Sequence, residues 1–97
     1  MDSVENLEVT DAELVSRCRN GDEAAFDALV QRHQARAFNV AYLLLRDRED
    51  ATEVAQDAFV SVYHHVESFR GDAAFATWLH QIVTNLARNR HRWWKRR

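Results

Sequence analysis

The chain contains almost none of the residues that interrupt helices. Its 97 residues include no proline and two glycines, Gly21 and Gly71. Proline and glycine are the residues that most often end or kink a helix. Apolar residues spaced three and four apart, in long stretches without either residue, are typical of amphipathic helices. We therefore expect an all-α fold, a compact bundle of about four helices, forming one small domain.

Each expected helix begins at a residue whose side chain can cap free backbone N–H groups. These residues are Thr10, Asp22, Asp47 and Asp72. The first helix should end at Gly21, the second near residue 46 and the third near residue 67. A loop over Glu67–Ala74, with Gly71 as its hinge, then leads into the fourth helix.

Apolar stripes with the period of a helix predict the core. The stripe of the second helix contains Phe26, Leu29, Val30, His33, Ala37, Val40, Ala41 and Leu44. The stripe of the third contains Ala51, Val54, Ala55, Ala58, Val62 and Val66. The stripe of the fourth contains Phe75, Trp78, Leu79, Ile82 and Leu86.

Charge is distributed unevenly along the chain. Residues 1–67 carry fourteen acidic residues against six arginines, a balance of −8. Residues 68–97 carry seven basic residues against one aspartate, a balance of +6. The formal net charge of −2 therefore hides two regions of opposite sign. Such polarity suggests two different partners, one for each end of the domain.

Several classes of protein are disfavoured by what the sequence lacks. Cys18 is the single cysteine, which rules out an intrachain disulfide and a zinc site built on several thiolates. The acidic N-terminus does not resemble a signal peptide, and no apolar run approaches the ~18 residues of a membrane span. No glycine-rich phosphate loop or metal-binding histidine spacing is present. We expect a cytoplasmic protein without cofactor or bound metal.

The outward side of the third helix carries acidic and amide groups around one apolar residue. Glu53, Gln56 and Asp57 share this side with Val60, and Tyr63 lies at its edge. No lysine or arginine follows within a turn to neutralise the carboxylates. The pattern fits either a solvated face or a protein-binding surface. It does not favour acid–base catalysis, because a bare helix face offers no cleft to separate the pKa values of two carboxyl groups.

The fourth helix continues into a basic, tryptophan-containing end. Its outward face is polar and then cationic: Thr77, Gln81, Thr84, Asn85, Arg88, Arg92 and Lys95. The number of positive charges at this end exceeds what is needed to complement the helix dipole. The surplus favours a nucleic-acid partner. Trp93 and Trp94 leave an alternative open, a helical protein-interaction domain whose basic tail binds anionic membrane.

Three stretches carry a family resemblance, namely NGDEAAFDALVQRHQARAFNVAYLLLRD, DATEVAQDAFVSVYHHVESFRG and FATWLHQIVTNLARNRHR. In this order they resemble region 2 of bacterial sigma factors, most closely the extracytoplasmic-function (ECF) group. The middle stretch is similar to the family's Ala-Glu-Asp-Leu-Val-Gln-Glu-x-Phe motif, and the last to its Trp-Leu-x-x-Ile-x-x-Asn motif. The resemblance covers about residues 10–92.

The resemblance implies a transcription initiation factor and no enzymatic activity. It implies that one face of the domain docks on the coiled coil of the largest subunit of core RNA polymerase. The residues of this polymerase-binding face are Glu53, Gln56, Asp57, Val60 and Tyr63. It also implies capture of the non-template single strand of the minus-ten promoter element. The DNA-binding residues are Ser68, Phe69, Arg70, Gly71, Asp72, Gln81, Asn85, Arg88 and Arg92. An anti-sigma factor is a further implied partner, and a membrane is not.

The resemblance also suggests how the chain is divided. Residues 1–9 are expected to be a flexible N-terminal segment and residues 10–92 the sigma region 2 helical domain. Residues 93–97 are expected to be a basic C-terminal end that leads towards a linker and a second, helix-turn-helix domain outside this chain.

Overall fold

Four α-helices form the domain in the computed structural model, which describes residues 9–71 and 73–96, with side chains as far as Arg90. The helices are α1 (Asp11–Arg19), α2 (Glu23–Leu45), α3 (Arg48–His65) and α4 (Phe75–Arg96). A 3₁₀ turn, Val66–Ser68, follows α3 directly. The expected all-α bundle of about four helices is confirmed. In the part of the chain described, no helix has the length and apolar character needed to span a membrane.

The helix starts follow the capping residues of the sequence. The side-chain oxygens of Thr10, Asp22 and Asp47 accept hydrogen bonds from the backbone N–H three residues on, at 3.1, 3.2 and 2.9 Å. Each bond satisfies one of the N–H groups that a helix start leaves free. The fourth expected cap, Asp72, lies outside the described residues, and α4 begins at Phe75.

Helix α2 is the centre of the bundle, because it packs against α1, α3 and α4. Helices α3 and α4 also pack against each other, while α1 contacts the 3₁₀ turn. Among the described side chains, seven of the seventeen buried apolar residues are alanines, and short side chains let helix backbones approach closely. Every member of the expected α3 stripe is buried, including its 3₁₀ extension at Val66.

The core departs from the expected stripes at several places. Leu44, expected in the core, is 44% exposed, because a stripe is buried only where another helix lies alongside it. Val83 and Ala87 of α4 are fully buried although the expected stripe omitted them. Val9, at the end of the expected flexible segment 1–9, is half-buried against the core; residues 1–8 lie outside the described part.

Polar contacts fasten α1 to the rest of the bundle. The carboxylate of Asp11 accepts a hydrogen bond from Arg32 Nη1 at 3.0 Å, and its other oxygen lies 2.9 Å from His33 Nε2. The His33 ring packs on Phe75, with ring centroids 5.1 Å apart. The histidine of the α2 stripe is therefore a packed structural residue at the meeting point of α1, α2 and α4.

Candidate docking face and nucleic-acid interface

The five residues expected to bind polymerase lie together on the exposed side of α3. This docking face consists of Glu53, Gln56, Asp57, Val60 and Tyr63, all of them exposed. Val60 is 54% and Tyr63 53% exposed, so the face presents apolar and aromatic surface among its polar groups. The α3 stripe on the opposite side is buried in the core, so the helix period alone orients the face outward.

An apolar groove of about 940 Å³ runs beside this face, between α2 and α3. Gln56, Val60 and Tyr63 line its α3 side. The α2 side carries apolar residues and a polar rim: Phe26, Val30, Phe38, Asp27, Gln34 and Asn39. A groove with an apolar floor and a polar rim is suited to receive a helix of another protein.

The α2 wall of this groove was missed by the sequence analysis. Phe26 and Val30 had been assigned to the core, yet both are only partly buried and line the groove. Phe38 had not been assigned at all. The available signal was an aromatic residue outside the core stripe of an amphipathic helix. The Phe26 ring meets Tyr63 edge-to-face at 5.2 Å, which links the two walls.

Glu53 has a partner within the chain, which corrects the expectation of an unneutralised acidic patch. Arg90 of α4 donates a hydrogen bond from Nη2 to Glu53 Oε2, and the same nitrogen forms an ion pair with Asp50 Oδ1 at 3.0 Å. Burial by itself would lower the pKa of Arg90, but the hydrogen bond to Glu53 and the charges of Asp50 and Glu53 raise that pKa above its ordinary value. The expectation failed because it considered only residues within a helical turn.

Asp57 remains available on the docking face. No ion pair to Asp57 occurs among the side chains described, residues 9–71 and 73–90. It lines a second cleft, of about 400 Å³, between α3 and α4, together with Val54, Leu86, Asn89 and Arg90. The docking face is thus a ridge, with the apolar groove on one side and this cleft on the other.

The loop expected to bind DNA is held to the bundle at its first residues. The Ser68 hydroxyl donates to the carbonyl of His65 at 2.8 Å, and Arg19 Nε donates to the carbonyl of Val66 at 3.3 Å. Phe69 is half-buried, and its ring stacks on Trp78 with centroids 4.5 Å apart. Its ring is therefore occupied within the fold.

The rest of the loop faces outward. Arg70 and Gly71 are exposed, and Gly71 has a φ of 80°, a conformation that favours glycine. Asp72 lies outside the described residues. A cavity of about 440 Å³ opens beside the loop, with Gly71 and Phe69 on one side and the first turn of α1, from Thr10 to Ala12, on the other.

The expected DNA-binding strip of α4 is partly brought together. Gln81, Asn85 and Arg88 are exposed and lie on one face of the helix. The side chain of Arg92 lies outside the described part. Thr84, expected on the same outward face, is corrected: it is half-buried, and its hydroxyl is buried without a described hydrogen-bond partner.

The described residues offer no grouping of three or more His, Cys, Asp or Glu side chains suited to hold a metal ion.

Comparison with known proteins points to one family. A sequence profile of the Sigma-70 region 2 family matches residues 29–97. The chain is 45% identical over 84 residues to the ECF RNA polymerase sigma-E factor of Haemophilus influenzae, covering 84% of this chain and 43% of the relative. It is 42% identical over 79 residues to the RNA polymerase sigma-H factor of Pseudomonas aeruginosa, covering 81% of this chain and 41% of the relative. The chain thus spans less than half the length of these relatives.

The fold has a close counterpart among solved structures. An engineered region 2 of sigmaE, determined by NMR in complex with GTAAAA, superimposes with a TM-score of 0.79 at 35% sequence identity. The match covers 84% of this chain and 85% of the other. Because profile, relatives and fold agree over most of the helical domain, the chain belongs to the sigma-70 region 2 family, in its ECF group.

Proposed function

We propose that this domain docks on core RNA polymerase through α3 and captures the unwound non-template strand of the minus-ten promoter element through α4 and the preceding loop. The polymerase carries out the chemistry, and the domain supplies recognition and holds the promoter open. Trapping an unpaired strand stabilises melting without any covalent step.

The composition of the docking face supports the polymerase half of the proposal. A coiled coil presents helices with apolar and cationic side chains, and the family resemblance implies arginines at this contact. The apolar groove accepts the apolar residues of such a helix, while Asp57 and Glu53 attract its cations. Charged pairs of this kind fix register and speed encounter more than they add affinity.

The exposed polar surface of α4 supports the DNA half. Gln81 and Asn85 can hydrogen-bond bases or sugars, and Arg88 can neutralise a phosphate. The cavity beside the loop provides a recess next to the exposed backbone of Arg70 and Gly71. A related region 2 forms a complex with GTAAAA, which supports the same class of ligand here.

One observation carries the proposal: the two surfaces lie on adjacent helices that pack against each other. The docking face is on the exposed side of α3, and the strip from Gln81 to Arg88 is on the exposed side of α4. A single rigid unit therefore offers one partner an acidic and apolar surface and the other a polar and cationic one. Such a unit can hold the opened strand at a set position relative to the polymerase.

Two further parts of the proposal follow from the ECF relatives. We propose that an anti-sigma protein covers the docking face when transcription is off, and that the domain acts in the cytoplasm.

A charge reversal at Asp57 tests the docking half. We expect Asp57→Lys to weaken binding to purified core RNA polymerase at least about tenfold, because it sets like charges against each other across the contact. Binding is measured by fluorescence anisotropy of the labelled 97-residue chain. Asp57 has no ion pair among the described side chains, so the thermal melting temperature should stay close to that of the wild type.

The matched control reverses an exposed acid elsewhere. Glu13→Lys makes the same charge change on α1, away from the docking face, and should bind polymerase like the wild type. Equal binding by the Asp57→Lys variant and the wild type would contradict the proposal. Binding of the wild type to anionic lipid vesicles, with no binding to polymerase, would favour the membrane alternative.

A further inference from the structure

Arg90 joins the DNA-binding helix to the docking helix through one nitrogen shared by two carboxylates. Its Nη2 forms an ion pair with Asp50 Oδ1 at 3.0 Å and donates a hydrogen bond to Glu53 Oε2. Asp50 and Glu53 are three residues apart on α3, so both point to the same side of the helix. Arg90 continues the buried α4 stripe of Val83 and Ala87, which directs it towards α3 and away from the strip that ends at Arg88.

The two carboxylates differ in exposure. The side chain of Asp50 is 19% exposed, that of Arg90 29% and that of Glu53 56%. Asp50 is therefore the inner partner and Glu53 the outer one, at the edge of the docking face. An outer, solvated carboxylate can leave an ion pair at little free-energy cost. Leaving a half-buried guanidinium without any carboxylate partner costs much more free energy.

We propose that Arg90 competes with the cations of core polymerase for Glu53, and that Asp50 makes Glu53 releasable by keeping Arg90 paired. This inference rests on the proposed docking of α3 on polymerase. In the free domain Arg90 occupies Glu53. On docking, Glu53 turns to the partner's cation, and Arg90 stays bound to Asp50. Arg90 and Asp50 thereby set the affinity of a contact that neither of them makes.

The guanidinium of Arg90 carries a permanent positive charge. Its neighbours hold its pKa above the ordinary value despite partial burial, so the guanidinium does not lose its proton at any pH at which the domain is used. The exchange is a change of partner for Glu53, and it does not require Arg90 to lose its proton. It should therefore respond to substitution of Arg90 and of Asp50.

Two neutral substitutions should change polymerase affinity in opposite directions. Arg90→Gln frees Glu53, and we expect it to raise affinity for core polymerase by about three- to tenfold. Asp50→Asn leaves Glu53 as the only carboxylate for Arg90, and we expect it to lower affinity by a similar factor of about three to ten. Glu49→Gln is the matched control, since it removes one exposed charge next to Asp50 that does not contact Arg90.

A double-mutant cycle separates competition from a general effect of charge. Any charge near the docking face acts on a cationic partner through space, whether or not Glu53 is present. Competition requires the Glu53 carboxylate. In a Glu53→Gln background, both Arg90→Gln and Asp50→Asn should therefore change affinity by less than about twofold. Measurements at about 0.15 M salt and again at higher salt reduce the through-space part further.

The outcomes distinguish this inference from the proposed function. If the wild-type chain fails to bind core polymerase, the docking proposal itself fails. If the wild-type chain binds but Arg90→Gln and Asp50→Asn leave the affinity unchanged, only the competition is overturned. The same conclusion follows if both substitutions keep their effects in the Glu53→Gln background. Melting curves identify any variant that fails to fold. If Arg90→Gln fails to fold, the affinity of Asp50→Asn decides whether Arg90 competes for Glu53.

Discussion

Phe69 shows how the role of one side chain depends on its neighbours. Among the loop residues expected to bind DNA, it has the largest apolar surface. In the structure its ring stacks on Trp78 and meets Phe75 edge-to-face, with centroids 4.5 and 6.5 Å apart. These aromatic contacts anchor the start of the loop on α4. Among the described loop residues, we therefore expect Ser68, Arg70 and Gly71, which are exposed, to be better placed for contact with DNA than the Phe69 ring.

Cys18 provides a prediction about pH. Burial raises the pKa of its thiol, and the nearby negative charge of Asp22 raises it further. Little reactive thiolate should therefore be present at neutral pH, and alkylation by iodoacetamide should be slower in the folded domain than in urea. Asp22→Asn removes the charge and keeps a side chain that caps α2 well. We expect this variant to shift the pH profile of the alkylation rate to lower pH.

The shift should be partial, because burial is the larger cause and persists in the variant. A pH profile that does not change with Asp22→Asn would show that Asp22 has no influence on the thiol. Thermal melting of the variant close to that of the wild type would verify that the cap is retained.

At the scale of elements, the capping residues decide where each helix begins and ends. Three N-caps form as the sequence indicates, but the end of α2 is unusual. Arg46 follows the last helical residue with φ 57° and ψ 27°, in the left-handed region, and its N–H bonds the carbonyl of Tyr42 at 2.7 Å. Glycine is the residue that most often occupies this position, because it has no Cβ to clash.

Arg46→Gly should stabilise the domain. Removing the left-handed strain is worth about 1–2 kcal/mol, and the greater freedom of glycine in the unfolded chain offsets about half of it. We expect a net gain of about 0.5–1 kcal/mol in the free energy of unfolding, measured by urea denaturation followed by circular dichroism. Gln31→Gly, at an exposed position in the middle of α2, should instead cost about 1 kcal/mol. A loss of stability in both variants would mean that Arg46 makes a compensating contact.

At the scale of the whole molecule, the charge asymmetry of the sequence becomes a contact between helices. The acidic helix α3 and the basic helix α4 pack side by side, and Arg90 pairs across their interface. Asp57 on α3 and Arg88 on α4, whose side chains are described, are both exposed. Each surface keeps its own sign even though the molecule as a whole is nearly neutral.

This arrangement predicts a preference for single-stranded DNA. The acidic two-thirds of the chain repels duplex phosphates, whereas an unpaired strand can follow α4 alone. We expect a single-stranded oligonucleotide containing GTAAAA to bind more tightly than the same sequence as a duplex. The slope of log affinity against log salt concentration should be about −0.7 per phosphate contact. Equal affinity for the two forms would count against strand capture.

Substituting two exposed arginines in turn tests which of them contacts a DNA phosphate. Arg88→Gln should weaken single-strand binding and reduce the salt slope by about 0.7, the share of one contact. Arg36→Gln removes an equally exposed cation from α2, outside the strip, and should leave the slope unchanged. The same slope in all three proteins would mean that Arg88 does not contact a phosphate.

The helices, three of the four helix starts and the outward orientation of the docking face follow from the sequence alone. These properties are local: a cap such as Asp47 acts three residues along the chain, and the helix period puts Ala51 and Val54 inside and Asp57 and Val60 outside. The family motifs are local as well, which is why the resemblance could be recognised from the sequence; the docking residues named with it stay a prediction.

Which helix lies against which becomes known only from the folded bundle. It paired Arg90 with Glu53, 37 residues away, opened the groove between Phe38 and Val60, and buried the hydroxyl of Thr84. The physical reason is that helical periodicity tells which side of a helix turns inward but not which neighbour it meets. The neighbour depends on how several helices pack at once, through contacts between residues far apart in sequence.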